Sequence, residues 1–321
     1  EVRSDRMSIA VSSSLPDPNA LAELVVNAYG LGPGVPCSLI SPGVNDTYQV
    51  GDSYFYRVYR AGWRSRSEIA WELALLLHLQ QAGVPVSVPV ARTDGLYITD
   101  LAAPEGVRPA VLFTRAPGKV LDYAEEDAFQ YGCTAARLHN AMDTFQTEFT
   151  RFRLDLDHLL EQPLRLIQPF AVSSGHWRFL SDLAGRLRSR VQAVADQLEP
   201  GICHGDLHGH NVHKAEDGRQ TLFDFDCGGP GWRAYDLAVY RWAVGRHARS
   251  LAPWEAFLRG YRTLREVRQA DLEIIPVFVA IRLFWLLGLH AGQVNQRGTA
   301  SVHMWVEGAT QALRQWAETE G

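Results

Sequence analysis

The chain has 321 residues, of which 46% are hydrophobic and 21% charged, an ordinary balance for a soluble globular protein. At that length it forms one large or two modest domains and buries about three-quarters of its unfolded surface. The formal net charge of −5 argues against a nucleic-acid partner. The four cysteines, Cys37, Cys133, Cys203 and Cys227, are scattered without a C-x-x-C pair, as expected of small buried residues in a reducing cytosol. The polar, charged N-terminal stretch lacks the apolar centre of a signal peptide. The longest apolar run, residues 274–289, is broken by Pro276 and Arg282 and reads as a buried helix rather than a membrane span. The expectation is a cytoplasmic enzyme with no membrane partner.

Residues 1–20 read as a flexible tail. Asp17-Pro18 then caps a short amphipathic helix over residues 20–29, stopped by Gly30. Three β-like runs follow, at 37–41, 47–50 and 54–59, joined by turns containing Gly43 and Gly51-Asp52. Residues 65–81 carry apolar positions at helical spacing and end at Gly83 and Pro85. Two more strand-like runs, 96–99 and 110–114, complete five strands and a helix. After Pro117-Gly118 the pattern turns helical, with helices expected over 127–142, 179–198, 234–249, 253–264, 272–290 and 303–316. Only the segments near 211–213 and 221–225 look β there, so a domain boundary falls near residue 116.

The helical half contains His204-Gly205-Asp206-Leu207-His208-Gly209-His210-Asn211, and Asp224-Phe225-Asp226 begins thirteen positions after Asn211. An acid and an amide five positions apart, with a second acid after a short apolar strand, suit phosphoryl transfer from a magnesium nucleotide. One carboxylate must orient and deprotonate the attacking hydroxyl, which Asp206 can do. An amide and another carboxylate must hold the metal on the phosphates, which Asn211 and Asp224 can do. Magnesium takes hard oxygen ligands and keeps several waters, so two protein ligands suffice. A loop aspartate taken alone is a turn cap; the companion residues shift the reading to chemistry. His204, His208, His210 and His213 admit another reading, a transition-metal site. Residues 205–209 also match a signature of binuclear metallophosphoesterases. Those enzymes need an Asp-x-His upstream and a Gly-Asn-His downstream, and this chain has neither.

The paired motifs resemble the catalytic core of the aminoglycoside phosphotransferase and homoserine kinase superfamily. There the loop reads His-Gly-Asp, four residues, Asn, and the metal-binding Asp opens an Asp-Phe-Asp or similar triplet. The resemblance implies an α+β, bilobal protein-kinase-like fold, with a small antiparallel-sheet N-lobe and a larger, mostly helical C-lobe. Residues 21–116 would bind nucleotide and residues 117–321 would carry catalysis and the substrate. The cofactors implied are ATP, with GTP possible, and Mg2+.

The resemblance also assigns residues. The family pairs a strand lysine with a helix glutamate. Glu72 stands where the family places the glutamate, whereas Glu68 belongs to the capping box Ser65-Arg66-Ser67-Glu68. The lysine is missing, and Arg57 stands in its position. Arginine keeps the charge but is bulkier and forked, so the exchange is not neutral; a solvated strand charge is the alternative. The phosphate loop, residues 41–47, has one glycine, and Asn45 matches an Asn frequent in the family; read alone it is a hairpin turn. Adenine would bond to backbone groups from Phe113 to Arg115. His204 and Asp236 would support the catalytic loop, His139 would pack, and Asp226 would add a further contact near the metal.

Asp236 follows Asp224 by only twelve positions, with Gly228-Gly229-Pro230-Gly231 between them and no Ala-Pro-Glu motif after. A long activation loop is therefore not expected, and a small-molecule hydroxyl is the first choice of acceptor: an aminoglycoside, an amino-alcohol or another metabolite. The alternatives are a bacterial serine/threonine protein kinase of the same superfamily and a weakly catalytic nucleotide-binding module. Asp155, Asp157, Asp271 and Glu273 are candidate exposed acids for an amino group, or plain surface charge.

Overall fold

The structure, a computed structural model, describes residues 11–171 and 174–320. The chain divides into two compact units, Glu1–Arg66 with Pro89–Arg115, and Ser67–Val88 with Ala116–Gly321.

In the first unit, α1 spans Pro18–Tyr29. Asp17 accepts the Asn19 and Ala20 N–H groups at 2.9 Å, Pro18 opens the helix, and Gly30 ends it at φ 64°, in the left-handed region that glycine enters without penalty. Five strands follow: β1 (Cys37–Ser41), β2 (Asp46–Val50), β3 (Tyr54–Val58), β4 (Thr99–Ala103) and β5 (Gly106–Thr114). They form one antiparallel sheet in the order β1-β2-β3-β5-β4. Strand alternation sends Tyr48, Val50, Tyr56, Val58, Ala110 and Leu112 to one face, where they bury against Leu21, Val25 and Tyr29 of α1.

Two expectations shift here. The strand expected at 96–99 begins only at Thr99, because a two-residue turn brings Ala103 opposite Gly106 and sets the β4–β5 register. Leu96 is held in a turn instead, its N–H on the Asp94 carboxylate and its carbonyl on the Arg92 N–H. The tail expected over 1–20 is fastened from Ser14 onward; its first ten residues lie outside the described ones. Ser14 donates to Glu105 from both N–H and Oγ, and Tyr48 donates to the Pro16 carbonyl at 2.9 Å. Arg108, fully buried, donates to the carbonyls of Ser14 and Tyr59 and to the Asp46 carboxylate at 2.7 Å.

The second unit begins with α2 (Arg66–Gln81), followed by the two-residue strand β6 (Lys119–Val120) and α3 (Glu125–Met142). A π-turn, Asp157–Glu161, runs into α4 (Gln162–Ile167), and α5 (Ser174–Gln192) follows. Two small sheets come next: β7 (Pro200–Cys203) pairs with β10 (Gly229–Trp232), and β6 pairs with the hairpin β8 (Val212–Lys214) and β9 (Gln220–Leu222). The rest is α6 (Arg233–His247), α7 (Ala252–Arg262), α8 (Gln269–Ala291), the single turn α9 (Val294–Arg297) and α10 (Thr299–Thr319).

All six helices expected after residue 117 are present. The sequence missed α4, α9 and strands β6, β7 and β10. Each is short, and β10 is Gly-Pro-Gly-Trp, a composition of turns; pairing with β7 makes it a strand. Among the described residues α8 is the one helix long and apolar enough to cross a membrane by length and composition. Ile275, Val277, Phe278, Ala280, Ile281 and Phe284 are buried inside the unit, with α8 packed on α4, α6 and α10. This is the buried helix expected.

Candidate active site

The motif residues gather around two strand pairs of the second unit. Cys203, the last residue of β7, faces Gly229 of β10, and the chain leaves β7 into His204-Gly205-Asp206. Gly205 is required there. Its φ is +78°, and a Cβ would lie 2.1 Å from the Cys227 carbonyl oxygen. Asp236, completely buried on α6, holds the turn: one carboxylate oxygen accepts the His204 N–H at 2.6 Å, the other the Gly205 N–H at 2.8 Å. His139 of α3 reaches the same carboxylate at 3.0 Å and Tyr261 Oη at 2.7 Å. Burial, the largest influence, lowers the His139 pKa, so a neutral imidazole donates from Nε2 to Asp236 and accepts the tyrosine proton at Nδ1. The loop-bracing role that the resemblance implies for Asp236 has this geometry. His139 is a link in that chain rather than plain packing.

Asp206 is the most heavily bonded carboxylate of the loop. Arg282 of α8 donates to Oδ1, His208 Nε2 lies 3.3 Å from the same oxygen, and Asn211 Nδ2 donates to Oδ2 at 3.0 Å and to the Asp206 carbonyl at 2.9 Å. The His210 N–H points at His208 Nδ1 at 3.2 Å, which leaves the Nε2 proton for Asp206. Burial pushes the Asp206 pKa up, but the Arg282 guanidinium, aided by His208, outweighs it and holds the group well below the usual carboxylate range. Asp206 is therefore a permanent carboxylate at neutral pH.

The β8–β9 hairpin places the other two residues. Val212 pairs with Leu222, so Asn211 stands just before the first strand and Asp224 just beyond the second, both at its open end. The Phe223 N–H donates to the Asn211 carbonyl at 3.0 Å, and the Phe223 carbonyl accepts His204 Nε2 at 3.0 Å. Asp224 has φ 64° and ψ 62°, and among the described residues no other non-glycine has positive φ. Asparagine and aspartate enter that region most readily of the L residues, and such conformations cluster at functional sites. With Nδ2 spent on Asp206, Asn211 Oδ1 has no hydrogen-bond partner among the described residues. An amide oxygen and a carboxylate set at one hairpin end are the hard donors that magnesium takes, so the residues present fit that ion.

Arg151 secures the segment that follows. Its guanidinium donates to the carbonyls of Gly228 at 2.7 Å, Asp226 at 2.5 Å and Glu68 at 2.9 Å, tying the Asp-Phe-Asp turn to α2. Asp226 itself is buried. Of the four histidines once eligible as a metal cluster, His204 is bonded to Phe223 and His213 Nδ1 to the Ala116 carbonyl at 3.0 Å. Among the described residues no group of three His, Cys, Asp or Glu could hold a metal ion, which separates the site from the metallophosphoesterase pattern.

The other residues expected from the sequence fall in both units. Glu72 is buried on α2 in the second unit, and Asn45, Arg57, Phe113 and Arg115 belong to the first. Arg57 projects from β3 on the face opposite buried Tyr56 and Val58, its guanidinium 5.1 Å from the Phe113 ring centroid and 5.7 Å from that of Tyr59, a cation–π setting. Asn45 Oδ1 faces the Arg60 N–H at 3.4 Å in the β1–β2 turn. Arg115 commits its N–H to the Ser53 carbonyl at 2.8 Å. Of the four acids offered for an amino group, Asp271 is buried, not exposed, and accepts the Glu199 N–H at 3.0 Å. Asp155 takes the His158 N–H, Asp157 pairs with Arg165, and Glu273 holds Gln269.

Sequence reasoning missed Arg282, Arg151 and the His208 contact. Arg282 had a signal: a lone arginine within an apolar helix must find a partner when buried.

The model of the phosphotransferase enzyme family matches residues 37–270, and the chain belongs to that family. It is a kinase, a phosphotransferase with an alcohol group as acceptor, of α+β, protein-kinase-like fold. The chain is 30% identical over 295 residues to the homoserine kinase of Neisseria meningitidis serogroup B, covering 84% of this chain and 89% of that one. Among solved structures it resembles the microcompartment-associated aminopropanol kinase, with TM-score 0.78 and 24% identity over 94% of this chain and 98% of the other. It also resembles the amicoumacin kinase hAmiN in complex with AMP-PNP, Ca2+ and Ami, with TM-score 0.76 and 21% identity over 92% and 94%.

Proposed function

We propose that the protein transfers the γ-phosphoryl group of ATP, or of GTP in its place, to a hydroxyl of a small amino-alcohol, with Mg2+ held by Asn211 and Asp224. The observation that carries this reading is the pair of hydrogen bonds that Asn211 Nδ2 donates to the Asp206 carbonyl and carboxylate. It ties the carboxylate proposed to face the acceptor to the amide whose oxygen is proposed to face the metal. When bound, the ion would neutralise charge on the phosphate oxygens. Asp206 accepts a hydrogen bond from the substrate hydroxyl, orients its oxygen for in-line attack, and takes the proton as the new O–P bond forms and the γ-phosphorus–oxygen bond to ADP breaks, releasing ADP. A strongly acidic carboxylate suffices, because a loose phosphoryl-transfer transition state asks for positioning more than basicity.

The nucleotide side of the proposal rests on Arg57 and Glu72 for the phosphates, Asn45 in the phosphate turn, and backbone groups from Phe113 to Arg115 for the base. The relatives named homoserine kinase, aminopropanol kinase and amicoumacin kinase support a small amino-alcohol acceptor, and the AMP-PNP and Ca2+ of the last support a nucleotide with a divalent cation. The chain between Asp224 and Asp236 is consumed by the turn Phe225–Cys227, by β10 and by the start of α6. That leaves no activation loop, which favours a small molecule over a protein acceptor.

A metal titration tests the reading. With 1-amino-2-propanol or homoserine as acceptor, Asn211→Ala is expected to raise the Mg2+ concentration for half-maximal ADP release at least tenfold. An unchanged titration would remove Asn211 from the metal site.

A further inference from the structure

We infer that Arg151 is a positioning residue for the phosphoryl-transfer metal: its guanidinium fixes the backbone that carries the Asp224 carboxylate; this rests on the metal assignment above and deepens it. Arg151 Nε donates to the Gly228 carbonyl at 2.7 Å. Nη2 donates to the carbonyls of Phe225 at 3.3 Å and Asp226 at 2.5 Å, and Nη1 to that of Glu68 at 2.9 Å. One cation therefore binds three of the four carbonyls that follow Asp224, together with a carbonyl of α2.

That backbone needs holding. Asp224 sits at φ 64° and ψ 62°, a left-handed conformation that a non-glycine residue keeps only where its surroundings over-determine it. Relaxation of φ to negative values would re-aim the carboxylate. A lysine is a poor substitute for the arginine, because an ammonium offers three donors from one point while the planar guanidinium spreads five across a fork. The guanidinium is seated on aromatic rings as well, its Cζ 4.4 Å from the Phe152 centroid and 5.4 Å from that of Trp71 on α2.

A strap of residues 150–154 delivers Arg151 to the turn. Thr150 donates from its N–H and Oγ1 to Ser67 Oγ at 2.9 and 3.0 Å. The Leu154 N–H donates to the Pro230 carbonyl at 2.7 Å, beside a parallel bridge to Gly231. Two glycines of β10 admit the strap: a Cβ on Gly229 would lie 2.6 Å from the Phe152 carbonyl oxygen, and one on Gly231 2.8 Å from Leu154 Cβ. Glu72, proposed above for the phosphates, lies one turn beyond Glu68 on α2. The guanidinium thus ties the turn that carries the metal aspartate to the helix that carries that glutamate.

The test is Mn2+ binding to the ADP-saturated protein, followed by electron paramagnetic resonance with an ADP-only titration subtracted. Such a titration returns the affinity and the number of sites separately, so a misfolded fraction lowers the number and leaves the affinity of the remainder unchanged. Arg151→Lys is expected to bind Mn2+ roughly 10–100-fold more weakly than the wild type, the usual cost of losing a group that orients a metal ligand. Ser67→Ala, which cuts the strap beside Arg151 but keeps the guanidinium, is expected to bind Mn2+ as the wild type does. In turnover, Arg151→Lys should need more Mg2+ for half-maximal ADP release, with the acceptor KM at saturating Mg2+ unchanged. Wild-type Mn2+ affinity in Arg151→Lys, alongside weakened binding in Asp224→Asn, would overturn the inference and leave the metal assignment standing. Wild-type affinity in Asp224→Asn would overturn both. Equal weakening in Ser67→Ala and Arg151→Lys would also overturn the inference, because the strap rather than the guanidinium would then set the site.

Discussion

The carboxylate proposed to receive the hydroxyl proton, Asp206, is held in its charged form well below the usual carboxylate range. Arg282, His208 and Asn211 all donate to Asp206. Asp206→Asn is expected to lower kcat by roughly 10²–10⁴-fold, the range of a lost general base, while calorimetric ATP binding survives; near-normal turnover would remove Asp206 from that role. Arg282 sets the pH at which Asp206 works. The folded pKa of Asp206 lies below the unfolded value of about 3.9, so the stability its charged form contributes is present above that pH and lost as pH falls through the folded value. In the wild type, kcat/KM should show no acidic limb from Asp206 above pH 5. In Arg282→Met the carboxyl pKa rises, and a limb should enter between about pH 4 and 7. A variant that merely lost packing would scale the whole profile without bending it. These partners lie 76 residues from Asp206 in the case of Arg282. That is why the motif was legible and its electrostatic setting was not: periodicity reports that a helix is buried, not which carboxylate its single charge will meet.

At the scale of elements, the site depends on a glycine turn, a buried aspartate and a three-residue hairpin. Gly205→Ala would press a Cβ onto the Cys227 carbonyl and strain a left-handed φ. It is expected to cost about 3 kcal/mol or more, seen as a lower melting temperature together with lost turnover. Asp236→Ala removes the acceptor shared by His204, Gly205 and His139 and should destabilise by roughly 3 kcal/mol. The elements that the sequence revealed are those with whole turns or full alternation, such as α1, α2, α3, α8 and β2–β3. Those it hid, α4, α9, β6, β7 and β10, are two to six residues long and owe their form to tertiary context. The strand displaced from 96–99 to Thr99–Ala103 shows the same limit, because a two-residue turn fixed the register that hydrophobicity had suggested elsewhere.

For the molecule as a whole, two buried histidines give stability a direction with pH. Burial, the largest influence on each, lowers the pKa of His139 and His204. Their folded values lie below the unfolded value near 6.5, so the unfolded chain binds more protons as pH falls below it and stability declines on the acid side. The melting temperature should fall between pH 7.5 and 5.5, and a flat profile would contradict the neutral assignment of both rings. Membership of the phosphotransferase family defines the reaction class; the proposal adds the acceptor and the residues that handle it. The most direct test is ADP release from MgATP with a panel of amino-alcohols, aminoglycosides, sugars and peptides, run on the wild type and on Asp206→Asn. Release that depends on an amino-alcohol and disappears in the variant is the expected result. Release driven by peptides alone, or equal in wild type and variant, would contradict the account.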